Sequence, residues 1–347
     1  TADGDLLRTN MGAQDGNAAW HLYRRSFGPS LDTLFMQSNM GIVTRAGVWL
    51  QPAPEVIYNC HVDVKREEDL VPLVDTLRKL RLDGTIDGVP CILNTLLLAS
   101  TFGTRASYAD ITGDTDPSMP LTDEQIDKIA AHLKIGRWHL RFSFYDDDAI
   151  VDLQYAKAKK AFEAIPGAVM YGSKTTWDDA PNLENSSDLV YSAIPNLDWK
   201  DMGAWYGGDH GGHMSFAPVV PLTGEAEYAV HRWTRRFFES RGFDYSCDAI
   251  VANARSVCHV TGISFDFDNL EETERAYRTL QDLCREAGQE LKIGEYRAHP
   301  HYMDIAQDVY DFNDHAYRRF VEKIKDAVDP SGILSPGKQG IWPAKYR

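Results

Sequence analysis

The sequence predicts an α+β fold in two domains, and three observations support this prediction. The chain has 347 residues, which is more than one ordinary hydrophobic core supports. From residue 55 onward, segments with period-two alternation mix with segments of helical period. The connections between these segments are short and of the antiparallel kind, which indicates one sheet covered by helices.

The first 52 residues differ in pattern from the rest of the chain. Ala2, Asp3 and Gly4 supply a hairpin turn, and an alternating strand is expected after it. Further along, residues 42–43 and 48–49 are apolar and predict short strands interrupted by glycine. Pro52 and Pro54 then mark a plausible domain boundary.

Periodicity and capping signals predict the remaining elements. Thr122 with Gln125 three residues later has the spacing of a capping box and predicts a helix start. The tail after the last helix is rich in turns, but its apolar residues indicate that it is ordered. The predicted strands are 55–64, 137–145, 168–172, 214–220, 244–252 and 257–266; the predicted helices are 67–82, 122–133, 147–164, 224–241, 270–288 and 303–327; residues 173–210 are expected to be loop.

Composition and charge exclude several classes of protein. Hydrophobic residues make up 43% and charged residues 25%, which is typical of a soluble globular protein. The net charge is −15 and no basic block occurs, so we expect no binding to nucleic acid or to anionic membranes. No apolar run approaches the roughly 18–20 residues of a membrane helix, and no signal-peptide pattern is present.

Cysteine usage predicts free thiols in a reducing compartment. The number of cysteines is odd, they lie far apart, and no CxxC pair occurs, which argues against a disulfide framework or a zinc ribbon. We therefore expect a cytoplasmic protein whose cysteines are small buried apolar residues. They are Cys60, Cys91, Cys247, Cys258 and Cys284.

One glycine-rich stretch, "YGGDHGGHMSFAP" at 206–218, admits three interpretations. Asp209, His210 and His213 could supply metal ligands, although the histidines have no helical spacing and no third ligand is evident. The stretch could be a flexible loop with exposed histidines. Alternatively, its glycines let the backbone approach a planar ligand, with His213 at a strand edge touching that ligand.

Two further segments carry chemistry that is weaker on its own. In "IGEYRAHPHYMD", Tyr296 and Arg297 join a phenol to a fixed cation, and both can hold an oxyanion. They share a site only if the backbone is irregular there, since neighbours in a strand point to opposite faces. The alternative is an Arg297 salt bridge with Tyr296 in the core. In "SPGKQG", Lys338 between glycines could meet an anionic ligand or could simply be exposed.

Six segments together resemble the vanillyl-alcohol oxidase family of 4-phenol-oxidising flavoproteins, which includes eugenol oxidase and the p-cresol methylhydroxylase flavoprotein subunit. The segments occur in the family's order and span nearly the whole chain. They are "LLRTNMGA", "FGPSLDTLFMQSNMGIVTRAGVWLQP", "LKIGRWHL", "GGHMSFAP", "GEYRAHPHYMD" and "VDPSGILSPGKQGIWP".

The resemblance implies a two-domain flavoprotein with a ferredoxin-like cap domain inserted into the FAD-binding domain. Residues 1–53 would end the first FAD-binding segment, 54–292 would form the substrate-binding cap, and 293–347 would return to the FAD domain. In the family, a long amino-terminal portion precedes the "LLRT.MGA" segment. That portion supplies most pyrophosphate contacts, an acid/base aspartate and a second phenolate-binding tyrosine, so this chain resembles the later part of a family member.

Residue by residue, the resemblance implies a cofactor and substrate site. The histidine in the family's G-x-H-x-x-F-x-P pattern matches His213 and would bond covalently to the flavin 8α carbon; Tyr206 is the available counterpart of the tyrosine that forms this link in the methylhydroxylase. Tyr296 and Arg297 would bind the phenolate and balance negative charge at the phenolate or the flavin. The resemblance also implies cofactor contacts by Gly41, Ile42, Val43 and Lys338. It implies that the substrate pocket is lined by Ser215, Tyr245 and Asp248. At Asp248 the family pattern has a neutral residue, so this chain departs from it there.

The implied activity is FAD-dependent hydride transfer from the benzylic carbon of a para-substituted phenol, through a quinone methide. Oxygen would be the acceptor and would give hydrogen peroxide. The alternative is a p-cresol-type dehydrogenase that passes electrons to a cytochrome c. The resemblance also implies a homo-oligomer, a dimer or larger, while a non-catalytic binding module is the third possibility.

Overall fold

The structure is a computed structural model and describes residues 1–25, 27–197 and 202–347. The chain forms two compact units. Unit 1 contains Thr1–Gln51 and Gly294–Arg347, and unit 2 contains Pro52–Ile293. Each unit is described by itself below.

Unit 2 is built on one eight-stranded sheet. Its strands are β1 (Val56–Val64), β2 (Cys91–Asn94), β3 (Trp138–Asp146), β4 (Val169–Thr176), β5 (Gly211–Phe216), β6 (Val219–Pro221), β7 (Ser246–Ile250) and β8 (Ser256–Asp266). Their spatial order is β4-β1-β3-β2-β7-β8-β5, with β6 also paired to β8. Every pairing is antiparallel, so the predicted α+β class is confirmed.

Helices of unit 2 follow the apolar periodicity of the sequence. The Thr122 hydroxyl accepts from the Gln125 amide and the Gln125 side chain accepts from the Thr122 amide, which confirms the predicted capping box. The helices of the chain are α1 (Leu70–Leu82), α2 (Thr95–Ser100), α3 (Ala109–Thr112), α4 (Asp123–Leu133), α5 (Asp148–Phe162), α6 (Ser186–Tyr191), α7 (Ala204–Gly207), α8 (Gly224–Glu239) and α9 (Leu270–Glu290) in unit 2, and α10 (Met303–Asp308) and α11 (Phe312–Val328) in unit 1.

The two faces of the sheet differ in chemistry. Alternate residues of its strands, such as Val62, Leu140 and Ile263, are fully buried on the face that packs against the long helices. The residues between them are mostly polar and form the opposite face. We call this second face the polar face; it is defined by Asn59, His61, Asp63, Tyr171, Cys91, Leu93, His139, Arg141, Ser143, His213, Ser215, Ser246, Asp248, Ile250, Val260, Gly262 and Ser264.

Unit 1 is held by buried polar contacts between its two chain segments. The Asn39 side-chain amide donates to the carbonyl oxygens of Ser335 at 3.0 Å and Ile341 at 2.9 Å. The ammonium of Lys325 donates to the carbonyl oxygens of Asn39 at 2.6 Å and Leu334 at 2.8 Å. These bonds fix the chain before Gly41 beside the carboxyl-terminal tail.

Several local predictions for unit 1 are wrong. In its described residues, 42–43 and 48–49 form no strand, because the backbone there lacks a sheet partner, and Ile42 and Val48 are exposed. The turn at Gly4 exists, with its amide donating to the Thr1 carbonyl, but no strand follows it. The predicted helix 303–327 is divided into α10 and α11, and Asn313 to His315 have positive φ.

Predictions for unit 2 are wrong in several places. The predicted strand 214–220 is divided into β5 and β6, and α3 was not expected. The expected loop 173–210 contains the end of β4 together with α6 and α7, while residues 198–201 lie outside the described part. The strand β2 and the helix α2 were not expected. Residues 91–100 are an almost continuous apolar run, in which periodicity does not separate a buried strand from a buried helix.

Candidate functional site

Three of the predicted site residues lie on the polar face of the sheet. His213 on β5 pairs with Ser264 on β8, and Ser215 pairs with Gly262. Asp248 on β7 pairs with Val260, two residues from Gly262 on the same strand. Directly paired residues project to the same face of a sheet, as do residues two apart along a strand. His213, Ser215 and Asp248 are therefore brought onto one surface, and His213 is exposed there.

Tyr245 lies on the other face and does not share a surface with Ser215. Its hydroxyl is 3.0 Å from Nε2 of His259 and 3.2 Å from the hydroxyl of Thr234 on α8. The phenol is buried, and burial raises its pKa well above the ordinary value. Tyr245 borders a cavity of about 30 Å³, room for one water and far smaller than ligand pockets of roughly 300 Å³ or more.

Tyr206 is committed to a buried ion-pair cluster. Its hydroxyl oxygen accepts from the Asp244 backbone amide at 3.0 Å and lies 3.4 Å from Nη1 of Arg105. That guanidinium in turn contacts Asp244 at 3.0 Å and Asp114 at 2.8 Å. Burial and the Asp244 carboxylate raise the pKa of the Tyr206 phenol. The Tyr206 hydroxyl makes its hydrogen bonds inside unit 2, and this argues against Tyr206 as the residue that anchors the cofactor.

The glycines before His213 have a local reason within the fold. A Cβ atom at Gly211 would overlap the carbonyl oxygen of Gly203, and one at Gly212 would overlap the ring of Phe267. Gly211 therefore requires glycine because a backbone oxygen approaches it closely, whereas a side chain at Gly212 would require the Phe267 ring to move. The space beside the Cα atoms of Gly211 and Gly212 is thus occupied by other atoms of this chain and not by a ligand.

The metal interpretation of this stretch gains no support from the geometry. His210 is exposed and its Nδ1 lies 3.3 Å from Oδ2 of Asp268, while Asp209 is also exposed. Across the described ranges, no group of three or more His, Cys, Asp or Glu side chains is arranged to hold a metal ion.

A row of three side chains extends the site across neighbouring strands. The thiol of Cys91 on β2 donates to Oδ2 of Asp248 at 3.4 Å. Cys91 pairs directly with Arg141 on β3, which is also buried. Burial first, and then the Asp248 carboxylate, raise the pKa of the Cys91 thiol, so it stays protonated and remains a donor.

The segment around α6 lies on part of the polar face. The hydroxyl of Ser187 accepts from Nη1 of Arg141, and the carbonyl oxygen of Tyr191 accepts from the Tyr145 hydroxyl at 2.6 Å. Tyr191 also packs against the small apolar cluster of Cys91 and Leu93. The sequence did not predict this covering, because the segment is polar and its composition favours a loop.

The Tyr-Arg pair in unit 1 has the irregular geometry that a shared site requires. Tyr296 and Arg297 form a bend, and the guanidinium carbon of Arg297 lies 5.4 Å from the centre of the Tyr296 ring. Both side chains are exposed. A phenol hydroxyl and a cation are thus presented side by side, which suits an anionic ligand.

The other predicted cofactor residues of unit 1 lie next to residues that are hydrogen-bonded through Asn39. Gly41 is two residues after Asn39 in the chain, and a Cβ atom at Gly41 would lie 2.8 Å from the Phe35 ring. Ile42, Val43 and Lys338 are exposed. Asn39 bonds to Ser335 and Ile341, on either side of Lys338, so this lysine and the segment after Asn39 belong to one locality.

Four further polar-face residues were not singled out from the sequence: Cys91, Arg141, His61 and His139. The strands that carry His61, His139 and Arg141 were predicted, and their alternation already places polar groups on one face. That alternation was the available signal. The alternation does not give the register of the strands. The register pairs both Cys91 and His61 with Arg141, and it places His139 diagonally opposite His61, where their rings are in contact.

No helix in the described residues is both long and apolar enough to cross a membrane. None of the five cysteines, all of which lie in the described residues, forms a disulfide bond.

Comparison with known proteins gives relatives along nearly the whole chain. No family model matches. The flavoprotein subunit of 4-cresol dehydrogenase (hydroxylating) from Pseudomonas putida is 33% identical over 341 residues, which cover 98% of this chain and 63% of that protein. A 1'-carboxy-chondrochloren decarboxylase from Chondromyces crocatus is 25% identical and covers 98% of this chain and 67% of that protein.

Solved structures agree with the sequence relatives. A 4-ethylphenol oxidase from Gulosibacter chungangensis, in complex with isoeugenol, superposes with a TM-score of 0.88 at 31% identity and covers 99% of this chain and 65% of that one. A p-cresol methylhydroxylase with bound substrate gives 0.85 at 32% identity and covers 98% and 63%. The chain therefore spans just under two thirds of the length of these relatives.

Proposed function

Because the chain belongs to the p-cresol methylhydroxylase and vanillyl-alcohol oxidase family, we propose that its protein is an FAD-dependent oxidoreductase of para-substituted phenols. The observation that carries this proposal is the presentation of Tyr296 and Arg297 at a bend, both exposed, with the guanidinium carbon 5.4 Å from the centre of the phenol ring. A phenolate bound there meets a hydroxyl donor and a fixed cation. An anion held away from water needs such a pair.

Phenolate binding is the step to which these two residues contribute. Ionisation of the phenol pushes electron density into its ring and stabilises a quinone methide once hydride leaves the benzylic carbon. Arg297 remains charged at any working pH, so it favours the ionised phenol throughout. Tyr296 donates a hydrogen bond to the same oxygen and fixes the orientation of the ring.

FAD would supply the hydride acceptor, and the residues present fit its attachment at His213. The imidazole is exposed at the sheet edge on the polar face, whereas the Tyr206 hydroxyl is taken up by Asp244 and Arg105. A covalent link needs a neutral imidazole nitrogen with room to approach the ring. We therefore assign the link to His213, and cofactor contacts to Lys338 and residues 41–43.

Ser215 and Asp248 are assigned to the substrate pocket, with Cys91 behind Asp248. They share the polar face with His213, and the Cys91 thiol holds the Asp248 carboxylate by a hydrogen bond. Tyr245 is left out of this assignment, because its hydroxyl bonds to groups on the helix side. The pocket thus presents a carboxylate to the substrate, which favours para side chains that carry a hydrogen-bond donor.

The electron acceptor is proposed to be oxygen, with cytochrome c as the second candidate. Oxygen is supported by the similarity to an oxidase at 31% identity, and cytochrome c by the similarity to a dehydrogenase subunit at 33% identity. A homo-oligomer is proposed for either case.

The decisive experiment mixes the flavin-loaded natural protein anaerobically with a 4-alkylphenol. Bleaching of the flavin absorbance is expected, and admission of oxygen then restores it with formation of hydrogen peroxide. If only cytochrome c restores the absorbance, the acceptor is corrected but the phenol chemistry stands. An unbleached flavin with every phenol offered contradicts the proposal, as does failure of the protein to take up FAD.

Arg297→Met supplies the matched test of the proposed role of the cation. The variant should bleach at least 100-fold more slowly, since one lost charge contact in the transition state is worth about 3 kcal/mol. Arg278→Met, at an exposed arginine paired with Glu274 on α9, is the control and should bleach at the normal rate.

A further inference from the structure

Two histidines on the polar face bond directly to each other. His61 Nδ1 on β1 lies 3.2 Å from His139 Nε2 on β3. The outer nitrogen of each ring meets a carboxylate: His139 Nδ1 is 3.0 Å from Oδ1 of Asp63, and His61 Nε2 is 2.9 Å from Oδ1 of Asp188 on α6. We call these four residues the histidine chain. Both imidazoles are at most 9% exposed.

The three contacts of the histidine chain need three N–H protons. Each ionised carboxylate accepts only, so the outer nitrogen of each ring must carry a proton. The central contact needs one proton between its two nitrogens. Two neutral imidazoles supply two protons in all, and a fourth proton would set two N–H groups against each other. The histidine chain is therefore fully bonded only when the pair carries one proton more than two neutral rings.

The extra proton belongs on His61. Burial lowers the pKa of His139, with His61 and Arg141 acting in the same direction against the Asp63 carboxylate, so His139 stays neutral. It donates to Asp63 and accepts from His61. His61 then donates with both nitrogens, to His139 and to Asp188. Two further charged or titratable groups face His61. Arg141 is its direct partner on β3, and Tyr171 on β4 has its ring stacked 5.3 Å from His61 and its hydroxyl bonded to Asp63.

Another buried histidine, His259, provides a contrast within the same unit. His259 Nδ1 lies 2.6 Å from Oε1 of Glu227, and its Nε2 lies 3.0 Å from the hydroxyl of Tyr245. That hydroxyl can donate, so both contacts are satisfied by one imidazole proton. The geometry at His259 therefore suits a neutral ring, whereas the geometry at His61 requires a cation.

We propose that His61 is a buried imidazolium that fastens α6 to the polar face, and that α6 loosens as this proton is lost. Asp188 is the α6 residue that this cation holds. Other ties of the segment are the Arg141 guanidinium to the Ser187 hydroxyl and the Asn59 amide to the Ser192 hydroxyl at 3.1 Å, and neither contact contains an imidazole or a carboxylate. Since α6 carries Tyr191 over Cys91 and Leu93, its release uncovers the polar face.

The direction of the pH effect follows from this charge state. A cation bound to a carboxylate stabilises the contact only while both groups are charged, and the contribution disappears when the imidazolium loses its proton as pH rises. The cover over the polar face is therefore closed on the acid side and loosened on the alkaline side. This inference concerns protein groups alone and stands apart from the flavin assignment.

Nitrogen-15 NMR of the full chain with labelled histidine tests the charge state. At about pH 6.5, both nitrogens of His61 should resonate as protonated imidazolium, while His139 and His259 each show one protonated and one bare nitrogen. A bare nitrogen on His61 at this pH overturns the proposal. A His61 signal that changes on adding a chelator also overturns it, because a metal ion would then occupy the place of the proton.

Hydrogen exchange of the α6 amides tests the fastening. Protection of residues 186–191 should fall about tenfold between about pH 6.5 and pH 9, after correction for the intrinsic exchange rate. Asp188→Asn should show the low protection at both pH values. Glu227→Gln, which alters the His259 pair instead, is the control and should keep the wild-type pH dependence. Protection that is independent of pH in the wild type, or unchanged in Asp188→Asn, contradicts the proposal.

Discussion

Lys325 and Asp329 form an ion pair 2.7 Å long, and both side chains are entirely buried. Burial favours the neutral acid, but the Lys325 ammonium and the amides of Leu334 and Ile333 outweigh it, so the pKa of Asp329 lies below its usual range. The same ammonium also donates to the carbonyl oxygens of Asn39 and Leu334. One pair thus joins α11 to both chain segments of unit 1.

Replacing Lys325 with methionine should unfold or strongly loosen unit 1. The change leaves a buried carboxylate without its cation, which costs about 3–5 kcal/mol. Lys323→Met, at an exposed position two residues away, is the matched control and should change stability by less than about 0.5 kcal/mol. Urea denaturation followed by far-ultraviolet circular dichroism measures both. Equal midpoints for the two variants would show that the pair contributes nothing.

Tyr206→Phe should lower the stability of unit 2 by about 1–3 kcal/mol while leaving flavin attachment intact. The lost hydroxyl is the acceptor of the Asp244 backbone amide, which would remain buried without it. Thermal unfolding measures the first effect, and flavin fluorescence of the denatured polypeptide measures the second. Loss of attached flavin in this variant would transfer the anchor from His213 to Tyr206.

Gly211→Ala should destabilise unit 2 by about 1–3 kcal/mol, since its Cβ would overlap a backbone oxygen that cannot move aside easily. Gly88→Ala is the control, because its Cβ would meet the Tyr145 ring at 3.4 Å, an ordinary contact. Thermal midpoints of the two variants make the comparison. A Gly211→Ala protein as stable as Gly88→Ala would refute the close-approach explanation of this glycine.

Unit 2 should lose stability as pH falls below about 6.5, in part because His231 must stay neutral in the fold. Burial lowers the pKa of His231, against the opposing effect of Glu67. The unfolded chain therefore binds a proton at His231 that the folded chain does not bind, and the free energy of unfolding decreases as pH decreases in this range.

His231→Gln should flatten that dependence by up to about 1.4 kcal/mol per pH unit, the contribution of one proton. Urea midpoints between about pH 5 and pH 7.5 provide the measurement. His132→Gln, at an exposed position on α4, should leave the slope unchanged. If both variants show the wild-type slope, His231 is not responsible for it.

Local signals predicted unit 2 well and unit 1 poorly, for a physical reason. In unit 2 the strands 55–64 and 137–145 and the helix capped by Thr122 have strong periodicity, and long-range pairing agrees with it. In unit 1 the apolar residues 42–43 and 48–49 suit a strand, but a strand forms only with a partner. Propensity alone cannot supply that partner.

The candidate site was predictable only in part for a similar reason. Tyr296 and Arg297 are neighbours in sequence, so their joint presentation needs just a local bend. Asp248 and Cys91 are 157 residues apart, and only the pairing of β2 with β7 brings them together. Tyr245 looked equivalent to Asp248 in the sequence, yet its contacts place it on the opposite face.

The proposed function can be tested directly by following the flavin when the natural protein is denatured in acid. We expect yellow fluorescence to stay with the polypeptide on a denaturing gel, to be lost in His213→Ala and to be retained in Tyr206→Phe. Release of the flavin from the wild-type polypeptide, or its retention by His213→Ala, would contradict the assignment of His213 as the anchor.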